Sequence, residues 1–297
     1  MKVRRVLLTS KTTLFEMPGL ERRDPRLARM IQDGDPLVAR VESSHLETVY
    51  AREVVERTLA ARGIQVSRVR RLGPIAKGRY DLVVAIGGDG TVLDVARWVD
   101  RTPVLAVNSS PSTSFGHFAC CTADTLDDVL ERLLDDALEP TLLSRIRLVI
   151  DGVVHPQPVL NDVLVADTVP SATARYVLRV GDREEDQKSS GVWMSTAAGS
   201  TGAMRSAGGQ PMDIRDLRLQ YQVREPCFQP GLELRLLGGI VDGPVCLTSR
   251  MINGGAFLDG RRVAVPVRFG SPVEIHPDGP PLRIVLLGGR TRAHATL

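Results

Sequence analysis

The feature that most constrains this chain is an apolar run that ends in three glycines grouped around an aspartate. Residues 81–86 read "DLVVAI", residues 87–91 read "GGDGT", and a helix-like apolar pattern follows up to residue 99. A run that is apolar on both faces is typical of a parallel strand covered by helices on each side. A buried strand, a glycine turn and a helix in this order predict one strand–helix unit of a parallel sheet.

The rest of the first half repeats this alternation of strands and helices. Short apolar runs predict further strands, and apolar residues spaced three or four apart predict further helices. The expected strands are 3–9, 64–69, 81–86 and 103–107, and the expected helices are 44–62, 91–99 and 125–136. The polar stretch between the first strand and residue 41 is expected to be a long loop with one helical turn near 27–31. We therefore predict an N-terminal, Rossmann-like α/β domain over residues 1–141.

The second half has a different texture from about Leu142 onward. Runs such as "VLNDVLVAD" and "GVWMSTAAG" are short, β-rich and separated by Gly, Asp and Pro. No long helical period is present, apart from a few residues just after Ser200. We therefore predict a C-terminal, mainly β and sandwich-like domain over residues 142–297, whose last residues could pack back on the first domain.

The composition argues against several classes of partner. The chain has 297 residues, a formal net charge of +3 and 4% aromatic residues, and its arginines are dispersed. RNA-binding modules that stack bases need more aromatic side chains, and a nucleic-acid patch needs clustered charge. The first apolar run, residues 6–8, is too short for a signal peptide or a membrane span, and the four cysteines lack zinc-site spacing. We expect a cytoplasmic protein without nucleic-acid or membrane partners.

The glycine turn is a candidate phosphate site. Glycines let the backbone approach a ligand closely, and the amide groups that open the next helix point towards an anion there. Asp89 would repel a bare phosphate, so its presence indicates either a base for an attacking hydroxyl or a ligand of Mg²⁺ on the phosphates. The alternative is a plain surface turn with a solvated aspartate.

Two polar stretches of the second half are further candidates. Asn161 and Asp162 interrupt an apolar strand pattern, where buried polar groups are costly without partners; a bulge between strands is the alternative. Residues 195–201 are dense in hydroxyl groups, and such a run can also cap a helix that begins near Gly202. The residues alone leave both alternatives open, and they show no spacing for a metal held by protein ligands alone.

Five stretches occur together in the order of one kinase family. They are "GGDGT", "PVLAVNSSPSTSFGHF", "LNDVLV", "GVWMSTAAGSTGAMRSAGG" and "FLDGRRV". The first is shared by NAD kinases, diacylglycerol kinases and sphingosine kinases, with a close variant in phosphofructokinases. The other four resemble NAD kinases in particular. The stretch over residues 191–209 is the most specific, because lipid kinases and phosphofructokinases lack it.

The resemblance implies a fold, a reaction and a set of site residues. The fold is the NAD kinase and diacylglycerol kinase-like superfold, and the reaction transfers the terminal phosphoryl of ATP, or of polyphosphate, to the 2′-hydroxyl of the adenosine ribose of NAD. Asp89 is the implied catalytic base, with Mg²⁺ or another divalent cation on the phosphates near it. The implied phosphate-binding residues are Gly87, Gly88, Gly90 and Thr91. The implied dinucleotide-binding residues are Gly116, His117, Phe118, Asn161, Asp162, Ser195, Thr196, Ala198, Gly199, Ser200, Thr201, Gly202 and Ser206.

The resemblance also implies a homo-oligomer, a dimer or a tetramer, and it has departures. An Asp-Gly pair of the family is Ser190-Gly191 here, its Thr-Pro-Thr run is residues 196–198, and its Ala-Tyr pair is Gly202-Ala203. Loss of the tyrosine removes a ring that helps to enclose the dinucleotide. Two alternatives stay open: a kinase of the same superfold that acts on a lipid or another hydroxyl compound, and a catalytically inactive dinucleotide-binding regulator.

Overall fold

The computed structural model describes residues 1–17, 24–70, 72–228, 231, 233–260 and 263–287. These residues form two compact units, Met1–Thr141 with residues 283–287, and Leu142–Leu282. Arg261 and Arg262 of the "FLDGRRV" stretch lie outside the described residues, as do the last residues of the predicted second domain. No helix in the described part of the chain is both long and apolar enough to cross a membrane.

The first unit is a parallel sheet with helices, in the strand order β4-β3-β1-β2. Its strands are β1 (Arg5–Ser10), β2 (Gln65–Val69), β3 (Leu82–Gly87), β4 (Val104–Asn108) and β5 (Cys121–Thr122), which pairs with β4. Its helices are α1 (Pro25–Gln32), α2 (Pro36–Ala61), α3 (Asp89–Ala96) and α4 (Leu126–Leu134), with a 3-10 turn at Leu14–Glu16. Every residue of β3 is buried, as a run apolar on both faces requires. This confirms the predicted parallel α/β architecture.

The strand order places a switch point in this unit. β1 pairs with β2 on one side and with β3 on the other. After β1 the chain adds β2 at one edge, and after β3 it adds β4 on the opposite side, so the switch point lies between β1 and β3. Open α/β sheets bind ligands beyond the carboxyl ends of their strands at such a point. The glycine turn follows directly from the carboxyl end of β3.

The long loop expected up to residue 41 is wrong in its second part, because α1 and the first part of α2 occupy most of residues 24–41. The helical turn expected near 27–31 lies within α1. Asp24 accepts the N–H of Leu27 at 3.0 Å, and Asp35 accepts the N–H of Leu37 at 2.9 Å. A proline follows each aspartate at the first helical position. An N-cap aspartate followed by proline is a strong helix start, and it outweighed the polar composition of this stretch.

The second unit is mainly antiparallel β-structure, as predicted. Its strands are β6 (Thr141–Ile150), β7 (Val153–Val154), β8 (Asp162–Asp167), β9 (Ala174–Val180), β10 (Arg183–Ser189), β11 (Val192–Ser195), β12 (Leu219–Val223), β13 (Gly238–Val241), β14 (Val245–Ser249), β15 (Gly254–Leu258), β16 (Val263–Val267) and β17 (Pro272–Ile284). One sheet has the order β13-β12-β11-β8-β15-β16, and outside it the strands pair in the order β10-β9-β14-β17, with β6 beside β17. Apolar residues of both sheets share one buried core, among them Leu178, Val245, Met194 and Ala256. The unit has one helical turn among its described residues, α5 (Ala203–Ser206).

Candidate functional site

The glycine turn joins β3 to α3 with almost no intervening loop. β3 ends at Gly87, Gly88 is the N-cap residue, and α3 begins at Asp89. The helix thus starts two residues earlier than the periodicity predicted, and Asp89 lies in its first turn. The Thr91 N–H donates to the carbonyl of Gly88 at 2.9 Å. The other amide groups of a first helical turn have no partner within the helix and carry its positive dipole end, so the turn offers the amides of Asp89 and Gly90 to an anion.

Gly87 is required by the packing of the turn itself. A Cβ on Gly87 would lie 2.1 Å from Oγ1 and 2.8 Å from Cβ of Thr91, so a side chain there would push the strand end away from the helix. A Cβ on Gly88 would lie 2.8 Å from Oγ of Ser114, the end of a side chain that can rotate away. Gly87 therefore permits the close approach of β3 and α3.

Asp89 is oriented by the loop that follows β4. Its Oδ1 accepts the N–H of Phe118 at 2.9 Å, and within the described residues no protein group bonds to Oδ2. Phe118 is buried, with 2% of its surface exposed, and the ring of His117 meets it edge-on at 5.4 Å between centroids. The protein therefore fixes one oxygen of Asp89, and no described residue bonds to the other.

Asn108 braces this loop, residues 109–118. Its Nδ2 donates to the carbonyl of Ser114 at 2.9 Å, and its Oδ1 accepts the N–H of Ser110 at 3.2 Å. Gly116 has a φ of +62°, and a Cβ there would lie 2.7 Å from Nδ2 of Asn108. Gly116 therefore serves to close the loop tightly over Asn108.

In the second unit, three strand ends meet around Asn161 and Asp162. β8 begins at Asp162 and runs antiparallel to both β11 and β15, so its start lies beside their ends. Ser195, the last residue of β11, pairs with Asp162, and Leu258, the last residue of β15, pairs with Val163. The "LNDVLV" and "GVWMSTAAG" stretches of the sequence are thus neighbours in this unit.

The side chain of Asn161 is the clearest sign of an absent partner in this unit. Its Oδ1 is buried and has no hydrogen-bond partner among the described residues. A buried acceptor without a donor costs about 1–3 kcal/mol. Such a group is retained where a ligand or water supplies the donor, so Asn161 is well suited to a hydroxyl of a bound sugar.

The buried hydroxyls of the hydroxyl-rich segment donate to backbone carbonyls, two of them on the residues just before β8. The Ser195 hydroxyl donates to the carbonyl of Asn161 at 3.1 Å, and the Thr196 hydroxyl donates to the carbonyl of Leu160 at 2.5 Å. Ser200 donates to the carbonyl of Ala197 at 2.7 Å. The side chains of Ser195, Thr196 and Ser200 are fully buried. The alternative that this run caps a helix is wrong, because Gly202 is the N-cap of α5 and no side chain caps it.

The remaining predicted residues of this segment surround the same backbone. A Cβ on Gly199 would lie 2.4 Å from the carbonyl oxygen of Asn161, and Ala198 is buried. Thr201 is half-buried, while Gly202 and Ser206 are exposed at the two ends of α5. Among the residues predicted here, Gly202 and Ser206 are therefore open to solvent and Thr201 is partly so.

Asp162 is a buried carboxyl with an unusual protonation state. Burial, and next to it the charge of Asp259, raise its pKa to about 7, although a hydrogen bond from the Gly260 N–H opposes the rise. Near neutral pH the group is therefore protonated about as often as it is ionised. Raised carboxyl pKa values of this kind are more frequent at functional sites than elsewhere.

Asp259 is the residue that the sequence reasoning did not assign. It lies in the Asp-Gly turn after β15 and accepts the N–H of Asn161 at 2.8 Å. The sequence signal that could have identified it was an Asp-Gly pair at the end of an apolar strand. In the structure both residues of the pair have positive φ, +49° and +80°. The contact joins positions 98 residues apart, and no local pattern predicts it.

Comparison with known proteins identifies relatives of this chain. Residues 24–138 match the family model described as the ATP-NAD kinase N-terminal domain. The chain is 32% identical, over 266 residues, to a probable NADH kinase from Oryza sativa subsp. japonica, and the match covers 82% of this chain and 81% of that protein.

Two solved structures share the fold at low sequence identity. One is an NAD kinase from Archaeoglobus fulgidus in complex with ATP, with a TM-score of 0.67, 18% identity, and coverage of 97% of this chain and 95% of that chain. The other is yeast NADH kinase complexed with NADH, with a TM-score of 0.69, 14% identity, and coverage of 96% and 84%. The two structures show the fold, and the extended match to the rice protein shows that this chain belongs to the NAD kinase family.

Proposed function

We propose that this chain transfers the terminal phosphoryl of ATP to the 2′-hydroxyl of the adenosine ribose of NAD or NADH. The observation that carries the proposal is the carboxylate of Asp89, which the Phe118 amide holds by one oxygen in the first turn of α3. Relatives named NAD kinase and NADH kinase support both forms of the acceptor.

In the first unit, the glycine turn binds the phosphates of ATP. The amides of Gly88 and Gly90 donate to phosphate oxygens, and Oδ2 of Asp89 takes the proton of the attacking hydroxyl. The Thr91 N–H is not available for this, because it donates to the carbonyl of Gly88 at 2.9 Å. Within the described ranges, no three His, Cys, Asp or Glu side chains lie close enough together to hold a metal. Mg²⁺ usually combines one or two carboxylates with substrate phosphates, so Asp89 and the turn fit it. When bound, Mg²⁺ neutralises the charge on the phosphates.

In the second unit, Asn161 and Asp162 bind the ribose of the dinucleotide. Oδ1 of Asn161 accepts a hydroxyl proton, which satisfies an acceptor that lacks a donor among the described residues. Thr201, Gly202 and Ser206 contact the adenine. The buried hydroxyls of residues 195, 196 and 200 act through the backbone that they hold.

Few catalytic residues are needed, because phosphoryl transfer requires mainly alignment of the reactants and charge neutralisation. A base positioned on the attacking hydroxyl typically contributes about 10²- to 10⁴-fold in rate. Asp89→Asn keeps the shape and the bond from Phe118 while it removes the proton acceptor. We therefore expect the variant to bind NAD like the wild type and to lose about 10²- to 10⁴-fold in turnover.

The experiment measures NAD affinity by calorimetry and NADP formation by a coupled assay on the same preparations. Asp100→Asn, at an exposed position of the same unit, is the matched control and should behave like the wild type in both. Unchanged turnover of Asp89→Asn removes Asp89 from the reaction.

The same assay separates the proposal from its alternatives. Purified chain is given labelled ATP or polyphosphate with NAD, NADH, diacylglycerol or sphingosine as acceptors. Label on a lipid and none on the dinucleotide supports the lipid kinase. Dinucleotide binding without transfer from either donor supports the inactive regulator.

A homo-oligomer remains a prediction of the family resemblance. The monomer mass is 32.3 kDa. Elution of the pure chain at that mass in gel filtration contradicts the prediction, and elution at two or four times that mass supports it.

A further inference from the structure

The peptide that carries Asn161 is held from two directions. The Asp259 carboxylate accepts the N–H of Asn161 at 2.8 Å and the N–H of Leu160 at 3.4 Å. On the other side, the hydroxyls of Ser195 and Thr196 donate to the carbonyl oxygens of Asn161 and Leu160. Backbone donors and acceptors of this short segment are thus engaged by side chains of other strands, whereas Oδ1 of Asn161 has no partner within the described ranges.

Asp259 is in turn fixed by the segment that it holds. Its own N–H donates to the carbonyl of Asp162 at 2.9 Å, which closes a reciprocal pair between the turn after β15 and the start of β8. The turn needs positive φ at both Asp259 and Gly260. Asp-Gly pairs are typical of such turns, and Asp151 and Gly152 have the same conformation between β6 and β7.

The start of β8 and this turn bury two carboxyl groups. Asp162 and Asp259 are 6% and 4% exposed, so both are removed from water close to one another. Burial and the charge of Asp259 raise the pKa of Asp162, which means that the fold opposes ionisation of Asp162. The Asp259 carboxylate accepts two N–H groups of the segment that carries Asn161, so its contacts extend beyond its own turn.

We propose that Asp259 is a positioning residue for the acceptor substrate, whose carboxylate sets the direction in which the Asn161 amide and the Asp162 carboxyl meet the ribose. The proposal rests on the proposed function and deepens it. Asp259 itself touches the protein backbone and not the reacting atoms. Its negative charge has a second effect, because it keeps Asp162 protonated to a higher pH than an isolated buried carboxyl would be.

The test is calorimetric binding of NAD to wild type and Asp259→Asn between pH 5.5 and 8.5. We expect the variant to bind NAD about tenfold to a hundredfold more weakly, the range for loss of a hydrogen bond to a charged acceptor. We also expect the pH inflection of the wild-type affinity, near 7, to move to lower pH, because the charge that acts on Asp162 is gone. Affinity for ATP should not change.

Two further variants make the result specific. Asp167→Asn is the matched control: Asp167 closes the other end of β8 by accepting the N–H of Val169 at 2.9 Å, and its loss should leave affinity and inflection as they are. Thr196→Val removes the opposing hydroxyl without removing charge. It should weaken NAD binding while the pH inflection of the affinity stays in place. This variant tests whether the contacts to the Leu160–Asn161 backbone position Asn161 even where Asp259→Asn does not fold.

The outcomes separate the inference from the function on which it rests. Wild-type affinity in folded Asp259→Asn, or in folded Thr196→Val, overturns the inference. Weaker binding of Asp259→Asn with an unmoved inflection also overturns it, because a merely structural role gives that result. Wild type that binds NAD but forms no NADP contradicts the proposed function and leaves the positioning role standing.

Discussion

Replacement of Asp162 by asparagine should stabilise the second unit while it impairs the site. Burial, followed by the charge of Asp259, raises the pKa of this carboxyl from its ordinary value of 3.8 to about 7. The folded state therefore binds a proton that the unfolded state has already released between those two pH values. Stability consequently falls as pH rises from about 4 to 7, and it is constant above and below this window.

The magnitude follows from the size of the shift. Each pKa unit is worth about 1.4 kcal/mol, so a rise of about three units makes ionised Asp162 cost on the order of 4 kcal/mol. The amide side chain of the Asp162→Asn variant would carry no such charge and could still accept the Gly260 N–H that Asp162 accepts. The stability difference between the variant and the wild type should therefore grow by about 1.4 kcal/mol per pH unit from pH 5 to 7 and level off above pH 8.

The assay is urea unfolding of the second unit, followed through a single tryptophan. The chain has two tryptophans, and Trp193 lies in β11 opposite Leu164 of β8. A Trp98→Phe background leaves Trp193 as the reporter, which avoids treating two units as one transition. Asp167→Asn in the same background is the control. A stability difference that does not change between pH 5 and 8 refutes the reasoning, since Asp162 would then ionise in its ordinary range.

Two glycine substitutions test the packing of the two site segments. Gly87→Ala should lower stability by about 1–3 kcal/mol and abolish turnover, because its Cβ would lie 2.1 Å from Oγ1 of Thr91. Gly73→Ala is the control and should be neutral, since a Cβ there has nothing within 4 Å. Stability is measured by thermal unfolding and turnover by NADP formation, and normal activity of Gly87→Ala contradicts the prediction. Gly199→Ala should weaken NAD binding but not ATP binding, because its Cβ would lie 2.4 Å from the carbonyl oxygen of Asn161. Gly243→Ala, where a Cβ also has no neighbour within 4 Å, is the calorimetric control. Equal NAD affinity of the two variants contradicts the positioning of Asn161 by the backbone contacts around it.

The architecture could be predicted because it rests on local patterns. A buried strand, a glycine turn and a helix predict a parallel sheet, and β3 and α3 follow that order. The start of α2 was missed although its signal was local. Asp35 and Pro36 form a strong helix start, but the polar residues around them matched a loop composition.

The site could be predicted only in part, because its hydrogen bonds join distant segments. Residue type identified Asn161 and the hydroxyl-rich segment, but it could not tell a hydroxyl that faces a ligand from one that binds a carbonyl. Thr196 and Ser200 belong to the second kind. Strand pairing decides this difference, since the antiparallel neighbours of β8 bring residues 195 and 259 to the same end of the strand. Sequence spacing contains no record of that pairing.

The most direct test of the account is phosphorylation of the dinucleotide by the purified wild-type chain. The chain is incubated with ATP, Mg²⁺ and either NAD or NADH, and the product is identified by its position of phosphorylation. The account predicts NADP or NADPH with the phosphate on the 2′-hydroxyl of the adenosine ribose. A dinucleotide recovered without phosphate, or with phosphate on another hydroxyl, contradicts it.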